Sequence, residues 1–189
     1  MVSRRRVTYL LTILFFMDAS FIDHVATQCG VFWRPPGEDW ANTWDGMLYF
    51  NCPRGKSIRR IHSIHRNCIE DRIWAFSCES NSAAQVCSWT GFVNSYDEIL
   101  DFKCPNNGFI SGIYSVHSNQ REDRRFEFKC CHSSSYRRYK CEWGHTTNWD
   151  ADINYSTSWG WLAGAHSYHN NYYEDRRWQF YQCRKQYNK

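Results

Sequence analysis

After Asp71 the chain alternates, with Arg72, Trp74, Phe76 and Cys78 at every second position. The pattern returns as Arg124, Phe126, Phe128 and Cys130, and again as Arg176, Trp178 and Phe180. A period of two is that of a strand with one buried face. A second strand is predicted over 58–65, with counterparts at 110–117 and 162–169. A third precedes each Cys-Pro, over 48–52 and 100–104. The turn-forming runs Cys52-Pro53-Arg54-Gly55 and Cys104-Pro105-Asn106-Asn107-Gly108 separate these strands. No long window carries a helical period.

The alternating runs belong to a longer repeat. Glu70-Asp71-Arg72, Glu122-Asp123-Arg124 and Glu174-Asp175-Arg176 follow one another at intervals of 52 residues. His65, His117 and His169 keep the same intervals, as do Ile58, Ile110 and Leu162. Trp44-Asp45, Tyr96-Asp97 and Trp149-Asp150 open the three stretches, the last displaced by one residue. Internal repetition at a fixed period decides architecture. The expected fold is all-β, with three pseudo-symmetric repeats of about 52 residues in one compact disulfide-stapled domain. Closure would be trefoil-like or prism-like, since either arrangement satisfies most strand edges. Its repeats are expected near 29–80, 87–132 and 141–184, within a single domain over 27–189.

The first twenty residues read differently. Arg4, Arg5 and Arg6 precede a short apolar run, Val7 to Met17, which is too short to span a bilayer. This is the layout of a secretory signal peptide over 1–20, with small residues offering cleavage between 19 and 26. No membrane span is expected after its removal. In an oxidising compartment the ten cysteines most simply form five disulfides. Cys52 and Cys78 lie 26 apart, as do Cys104 and Cys130, while the third stretch carries Ser156 and Gln182 at both places. Joint absence is what a bonded pair would show. By the same repeat logic Cys87 pairs with Cys131 and Cys141 with Cys183, and exclusion leaves Cys29 with Cys68. No C-x-x-C occurs, which sets a structural zinc site aside.

Charge adds little. The formal net charge of +4 falls to 4 − 3 + 1 = +2 once three arginines and Asp18 leave with residues 1–20. Such a balance permits acidic polysaccharide partners and gives no reason to expect nucleic acid.

The segments Asp71-Arg72-Ile73-Trp74-Ala75-Phe76, Asp123-Arg124-Arg125-Phe126-Glu127-Phe128 and Asp175-Arg176-Arg177-Trp178-Gln179-Phe180 resemble the D-R-x-W-x-F motif of the dermatopontin family. The vicinal Cys130-Cys131 and the segment Cys87-Ser88-Trp89 resemble that family too, and the likeness runs from Trp40 to Arg184. The resemblance implies a secreted, non-catalytic protein of the extracellular space or matrix, acting in adhesion. Its partners would be matrix proteins such as collagen, proteoglycans, glycosaminoglycan or cell-surface glycans. A lectin-like agglutinin or cytotoxin acting on cell surfaces is the alternative, as in invertebrate members. The chain departs from the vertebrate pattern in lacking a long acidic, tyrosine-rich N-terminal segment and in its positive charge.

Individual residues sharpen these expectations. The Glu-Asp-Arg copies could form a multivalent sugar site with Trp74, Phe126 and Trp178 as platforms, but alternating aromatics more often face a core. Their carboxylates raise glycosidase chemistry, which needs two across one bond. Recurrence in every stretch, each copy followed by Arg, argues against a catalytic site, and no enzyme activity is expected. The three histidines could titrate or bind a metal; packing is the favoured role because no second ligand recurs close by in the chain, so neither metal nor cofactor is expected. Arg137, Arg138 and Lys140, after three serines, read as an exposed basic loop and a candidate glycosaminoglycan site. Asn154-Tyr155-Ser156 is the one glycosylation sequon, and Tyr96, Tyr172 and Tyr173 have acidic neighbours of the kind tyrosine sulfation favours.

Overall fold

A computed structural model describes residues 34–188. The expected signal peptide, its cleavage sites and Cys29 lie outside them. Eleven strands and no helix occur among the described residues. They are β1 (Leu48–Asn51), β2 (Lys56–Arg66), β3 (Asp71–Ser80), β4 (Val86–Phe92), β5 (Leu100–Lys103) and β6 (Phe109–Ser118). β7 (Asp123–His132), β8 (Tyr136–Trp143), β9 (Ile153–Ser156), β10 (Trp161–Asn170) and β11 (Asp175–Tyr187) complete the set.

Three long antiparallel hairpins, β2–β3, β6–β7 and β10–β11, carry the alternating runs. Each is closed by a turn ending in Glu70, Glu122 or Glu174, whose φ values of 56, 46 and 47° lie in the left-handed region. The short strands do not pair with the hairpins that follow them in the chain. β1 pairs with β6, β5 with β10, and β9 returns to β2. Each stretch thereby lends its short strand to the next, and the last closes on the first. Three sheets result, ordered β1-β6-β7-β4, β5-β10-β11-β8 and β3-β2-β9. Every hairpin has a register shift at the same place: Ile58/Arg60, Ile110/Gly112 and Leu162/Gly164. An extra residue there bends and twists the strand. A side chain at Gly164 would meet the Phe102 carbonyl oxygen at 2.4 Å, so the lent strand needs glycine to come this close.

The bridges follow the sheets. Cys52–Cys78 and Cys104–Cys130 tie the end of a short strand to a long hairpin strand. Cys87–Cys131 fastens β4 to β7, and Cys141–Cys183 fastens β8 to β11. Cys130 and Cys131 point to opposite faces of β7 and so serve two bridges. Cys68 is disulfide-bonded; its expected partner, Cys29, is outside the described residues.

The core lies where the three hairpins meet. Trp74, Phe126 and Trp178 are only 2–3% exposed. They form a closed triangle of edge-to-face rings, with centroid distances of 6.2, 5.4 and 4.9 Å. This geometry sets ring edges against ring faces and adds to burial. Stacked on the triangle are Phe76 beneath Trp74 and Phe180 beneath Trp178. Rings so enclosed cannot stack on a sugar, which removes them as ligand platforms. Truncating Phe126→Ala is expected to cost about 3–5 kcal/mol in chemical denaturation, the range for a buried aromatic. A near-native midpoint would show that the triangle is dispensable.

Candidate functional site

Above the aromatic triangle the Glu-Asp-Arg copies converge. Asp71, Asp123 and Asp175 open their strands, and each is 3–4% exposed, as is each following arginine. The charges pair between stretches, not within them. Arg124 donates Nε and Nη2 to the two oxygens of Asp71 at 2.6 and 2.7 Å. Arg176 donates likewise to Asp123 at 2.6 and 2.7 Å. Arg72 closes the cycle on Asp175 with two bonds of 2.7 Å. The result is a buried ring of three bidentate pairs, the strongest geometry for this chemistry.

Each ring carboxylate also accepts a backbone N–H. Asp45 donates to Asp71 at 2.8 Å, Asp97 to Asp123 at 2.8 Å and Asp150 to Asp175 at 2.9 Å. This gives the repeated aromatic-Asp pair a role that its sequence spacing marked but did not explain. Three residues before each lies a side chain bonded to the N–H of a triangle residue. Asn42 serves Trp74, Asn94 serves Phe126 and Thr147 serves Trp178. The one-residue displacement of Trp149-Asp150 therefore carries through to its supporting residue.

The histidines form the next layer. Their side chains are 1% exposed, and each Nδ1 faces an aspartate of another stretch: His65 to Asp150 at 3.6 Å, His117 to Asp45 at 3.5 Å and His169 to Asp97 at 3.6 Å. Asn67, Asn119 and Asn171 lie at 3.2, 3.3 and 3.1 Å from the same nitrogens. Each Nε2 is buried without a hydrogen-bond partner. Glu122 and Glu174 approach the Nε2 atoms of His117 and His169 at 3.9 Å. Second ligand-type groups are thus near these histidines after all, five residues on in the chain. Histidines, glutamates and the ring line one small chamber with room of about 20 Å³, enough for one water or ion.

Electrostatics in the chamber are uneven. Burial, then the charges of Asp45, Glu174 and Glu70, push the Glu122 carboxyl up to about 7. Burial and then Asp71 raise Asp45. At Asp175 burial works against the charge, but the Arg72 bonds and charge outweigh it and hold the carboxyl below its ordinary value. Burial pushes His65 down.

The basic stretch is not a loop. Arg137, Arg138 and Lys140 lie in β8, which pairs with the C-terminal part of β11 through Arg184↔Tyr139 and Lys185↔Arg138. Alternation separates Arg137 from Arg138, and a register shift with positive φ at Lys140 resets the pattern after Tyr139. Arg137 and Lys140 are exposed, while Arg138 turns to the other face, half-buried, toward the Ala163 carbonyl at 3.5 Å. The serines did not break the strand because the tight turn before Tyr136 leads straight into it. Exposed Arg184 sits beside Arg137 and Tyr139 on the outer face, its guanidinium over Trp159 at 4.9 Å. Asn154 is exposed on the edge strand β9. Tyr172 is 79% exposed, whereas Tyr96 lies beneath the Arg125 guanidinium.

Comparison with known proteins completes the picture. The sequence profile of the family described as Dermatopontin matches residues 42–187. The chain is 42% identical to the hemagglutinin/amebocyte aggregation factor of Limulus polyphemus over 78% of this chain and 88% of that protein. It is 36% identical to Millepora cytotoxin-1 of Millepora dichotoma over 75% of this chain and 65% of that one. It is 36% identical to dermatopontin of Biomphalaria glabrata over 71% and 93%, respectively. No solved structure matches.

Two outcomes follow for the ring and chamber. Asp123→Ala leaves buried Arg176 without its partner and should cost about 3–5 kcal/mol in thermal or urea denaturation; an unshifted transition would remove the ring from the account. Glu122 has a folded value above its unfolded one, so its favourable contribution is complete below about 4.5 and lost as pH rises through about 7. Glu122→Gln should therefore stabilise at pH 8 relative to wild type, on the order of 1 kcal/mol after allowance for partial exposure, and not at pH 4. Asp175 and His65 run the other way: their contributions are present above their unfolded values and lost as pH falls.

Proposed function

The chain belongs to the dermatopontin family, and on that premise we propose that it is a secreted, non-catalytic adhesion protein that binds acidic glycan chains of matrix proteoglycans or cell surfaces. The observation carrying this reading is the outer face of β8 and β11, where Arg137 and Arg184 flank Tyr139, which is 43% exposed. Exposed Lys140 extends the same edge. Guanidinium and ammonium groups interleaved with exposed rings suit a sulfated polysaccharide, whose charge and sugar faces both need a partner. The glycan surface replaces the three-residue loop site: Arg184 joins it and Arg138, turned inward, leaves it. We read the closure of the three stretches as pseudo-symmetric, trefoil-like or prism-like, a frame in which the charged ring at the centre serves the fold. Four bridges among the described residues fit an oxidising extracellular setting. Glycosylation at Asn154 would leave this face clear, because β9 lies in a different sheet.

A cell-agglutinating role is the second reading. The relative from Limulus named as a hemagglutinin and aggregation factor favours it, and the same cationic face would then engage cell-surface glycans.

Heparin chromatography tests the face. Replacing Arg137, Lys140 and Arg184 together by Ser should lower the salt needed for elution while leaving the melting temperature within a degree or two. Retention should also fall with ionic strength in the wild type, because exposed charges are screened beyond about 10 Å at roughly 0.1 M salt. Unchanged elution by the triple variant would retire this surface. Agglutination of cells that survives in the triple variant would contradict a shared site for the second reading.

A further inference from the structure

The third stretch lacks a bridge that the other two have, and a groove stands in its place. Cys52–Cys78 and Cys104–Cys130 each tie the end of a lent strand back to its own hairpin, across the seam between two sheets. The equivalent positions, Ser156 and Gln182, belong to β9 and β11, again in two different sheets. Serine and glutamine cannot form that bond, and a groove of about 670 Å³ opens there, lined by both residues. Its size falls within the range of small-molecule sites, about 300–1,000 Å³. All four residues of β9, the outermost strand of its sheet, border it, and Glu142 and Trp143 of β8 border it too.

The lining is polar without being basic. Glu142, Asp152, Asn148, Asn154 and Ser156 offer carboxylate, amide and hydroxyl groups, and no lysine or arginine is among the described residues that border the groove. A sulfated chain would find no counter-charge here and would meet two carboxylates, and like-charge contacts disfavour a partner. A directed chain of hydrogen bonds fixes the polar groups. The Tyr155 hydroxyl donates to Gln182 Oε1 at 3.4 Å, and Gln182 Nε2 donates to Glu142 Oε1 at 2.6 Å. Gln182 is only 6% exposed, so the chain is held from within the fold. Glu142 is exposed, and a carboxylate can accept about four hydrogen bonds, so it keeps acceptors for a ligand. Burial and then the Glu142 charge push the Tyr155 hydroxyl up to about 12, which keeps it a donor at neutral pH. The Tyr155 ring packs against Phe180 at 4.7 Å, and the two give the groove an apolar wall among its polar groups.

We propose that the groove between β9 and the β8–β11 pair binds a short, neutral, unsulfated oligosaccharide. Neighbouring hydroxyls on a sugar ring donate and accept at once, which carboxylate and amide groups side by side can answer. The C–H face of the ring suits the aromatic wall. An edge strand can also take an extended peptide, but that mode draws its specificity from pockets for alternate side chains. Here hydroxyl, amide and carboxylate groups stand where such pockets would be. The inference goes beyond the acidic-glycan reading and does not rest on it, because the groove shares no residue with Arg137, Lys140 and Arg184. One chain would then carry two glycan sites of different preference, the minimum for linking two cell surfaces without a second copy.

The test uses the full, disulfide-bonded chain made without N-glycans, because Asn154 borders the groove. The chain is passed over an array of neutral and sulfated glycans in about 1 M NaCl, where the screening length is roughly 3 Å and the cationic face is silenced. At least one neutral oligosaccharide should be retained, in preference to every sulfated chain. Ser156→Cys combined with Gln182→Cys should restore the bridge of the other two stretches, as read by peptide mapping. Retention should then fall to background while the melting temperature holds or rises. Glu142→Ala should weaken binding of the same glycan about tenfold, the loss of one hydrogen bond to a charged group, with near-native melting. That variant keeps the test decisive if the new bridge does not form. Retention of sulfated chains alone, or undiminished neutral-glycan binding in the bridged chain or in Glu142→Ala, would overturn the proposal. So would capture of extended peptides in place of glycans, which would mark β9 as a strand-addition edge. Heparin retention at low salt is read separately, so the groove and the β8–β11 face can fail independently.

Discussion

The cycle of three aspartate–arginine pairs is the constraint on which the rest depends. Each bidentate pair joins residues 53 or 103 apart in the chain, always between different hairpins. A buried ion pair is weak evidence for net stability, because desolvation offsets much of the attraction. Its force lies in what happens when one partner is missing: a buried charge without a counter-charge costs several kcal/mol. A closed cycle makes that penalty mutual. No hairpin can dock in the wrong order or register without stranding an arginine, and so the ring fixes how the lent strands β1, β5 and β9 are shared out.

The surrounding layers follow from that choice. An arginine and an aromatic two residues later lie on the same strand face. Placing Arg72, Arg124 and Arg176 at the ring therefore drives Trp74, Phe126 and Trp178 together beneath it. The aspartates need a further donor, and the left-handed backbone at Asp45, Asp97 and Asp150 turns an N–H toward each one. Such conformations cost energy for residues other than glycine and persist where the surroundings over-determine them. Here the carboxylate, the neighbouring histidine and the hairpin turn all do so. The bridges act further out, on the lent and flanking strands, where the ring does not reach.

Much of this was legible in the sequence. Alternation at Arg124, Phe126, Phe128 and Cys130 identified a strand and its inward face, because side-chain period is a local property. The 52-residue interval identified equivalent residues without placing them in space. What alternation cannot give is the partner across the ring: Arg124 sits next to Asp123 in the chain yet bonds to Asp71. Three-dimensional closure decides that, and no local signal encodes it. The histidines show the same limit. Glu122 stands five positions after His117, a spacing with no meaning on an extended strand, and only the hairpin turn brings the two to 3.9 Å. Arg137, Arg138 and Lys140 belong to a strand where their sequence predicts a loop, for a different reason. Polar, charged residues do form strands when a long partner such as β11 runs past them, and the partner's C-terminal extension is visible only in the fold.

The central claim is that charge pairing between hairpins, not within them, holds the centre together. A double-mutant cycle on Asp71 and Arg124 measures it directly. Asp71→Ala and Arg124→Ala should each be strongly destabilising in urea denaturation. The double variant should cost less than their sum by about 1–3 kcal/mol, the coupling expected of residues in direct contact. Strict additivity for this pair, with coupling appearing instead between Asp123 and its chain neighbour Arg124, would contradict the account.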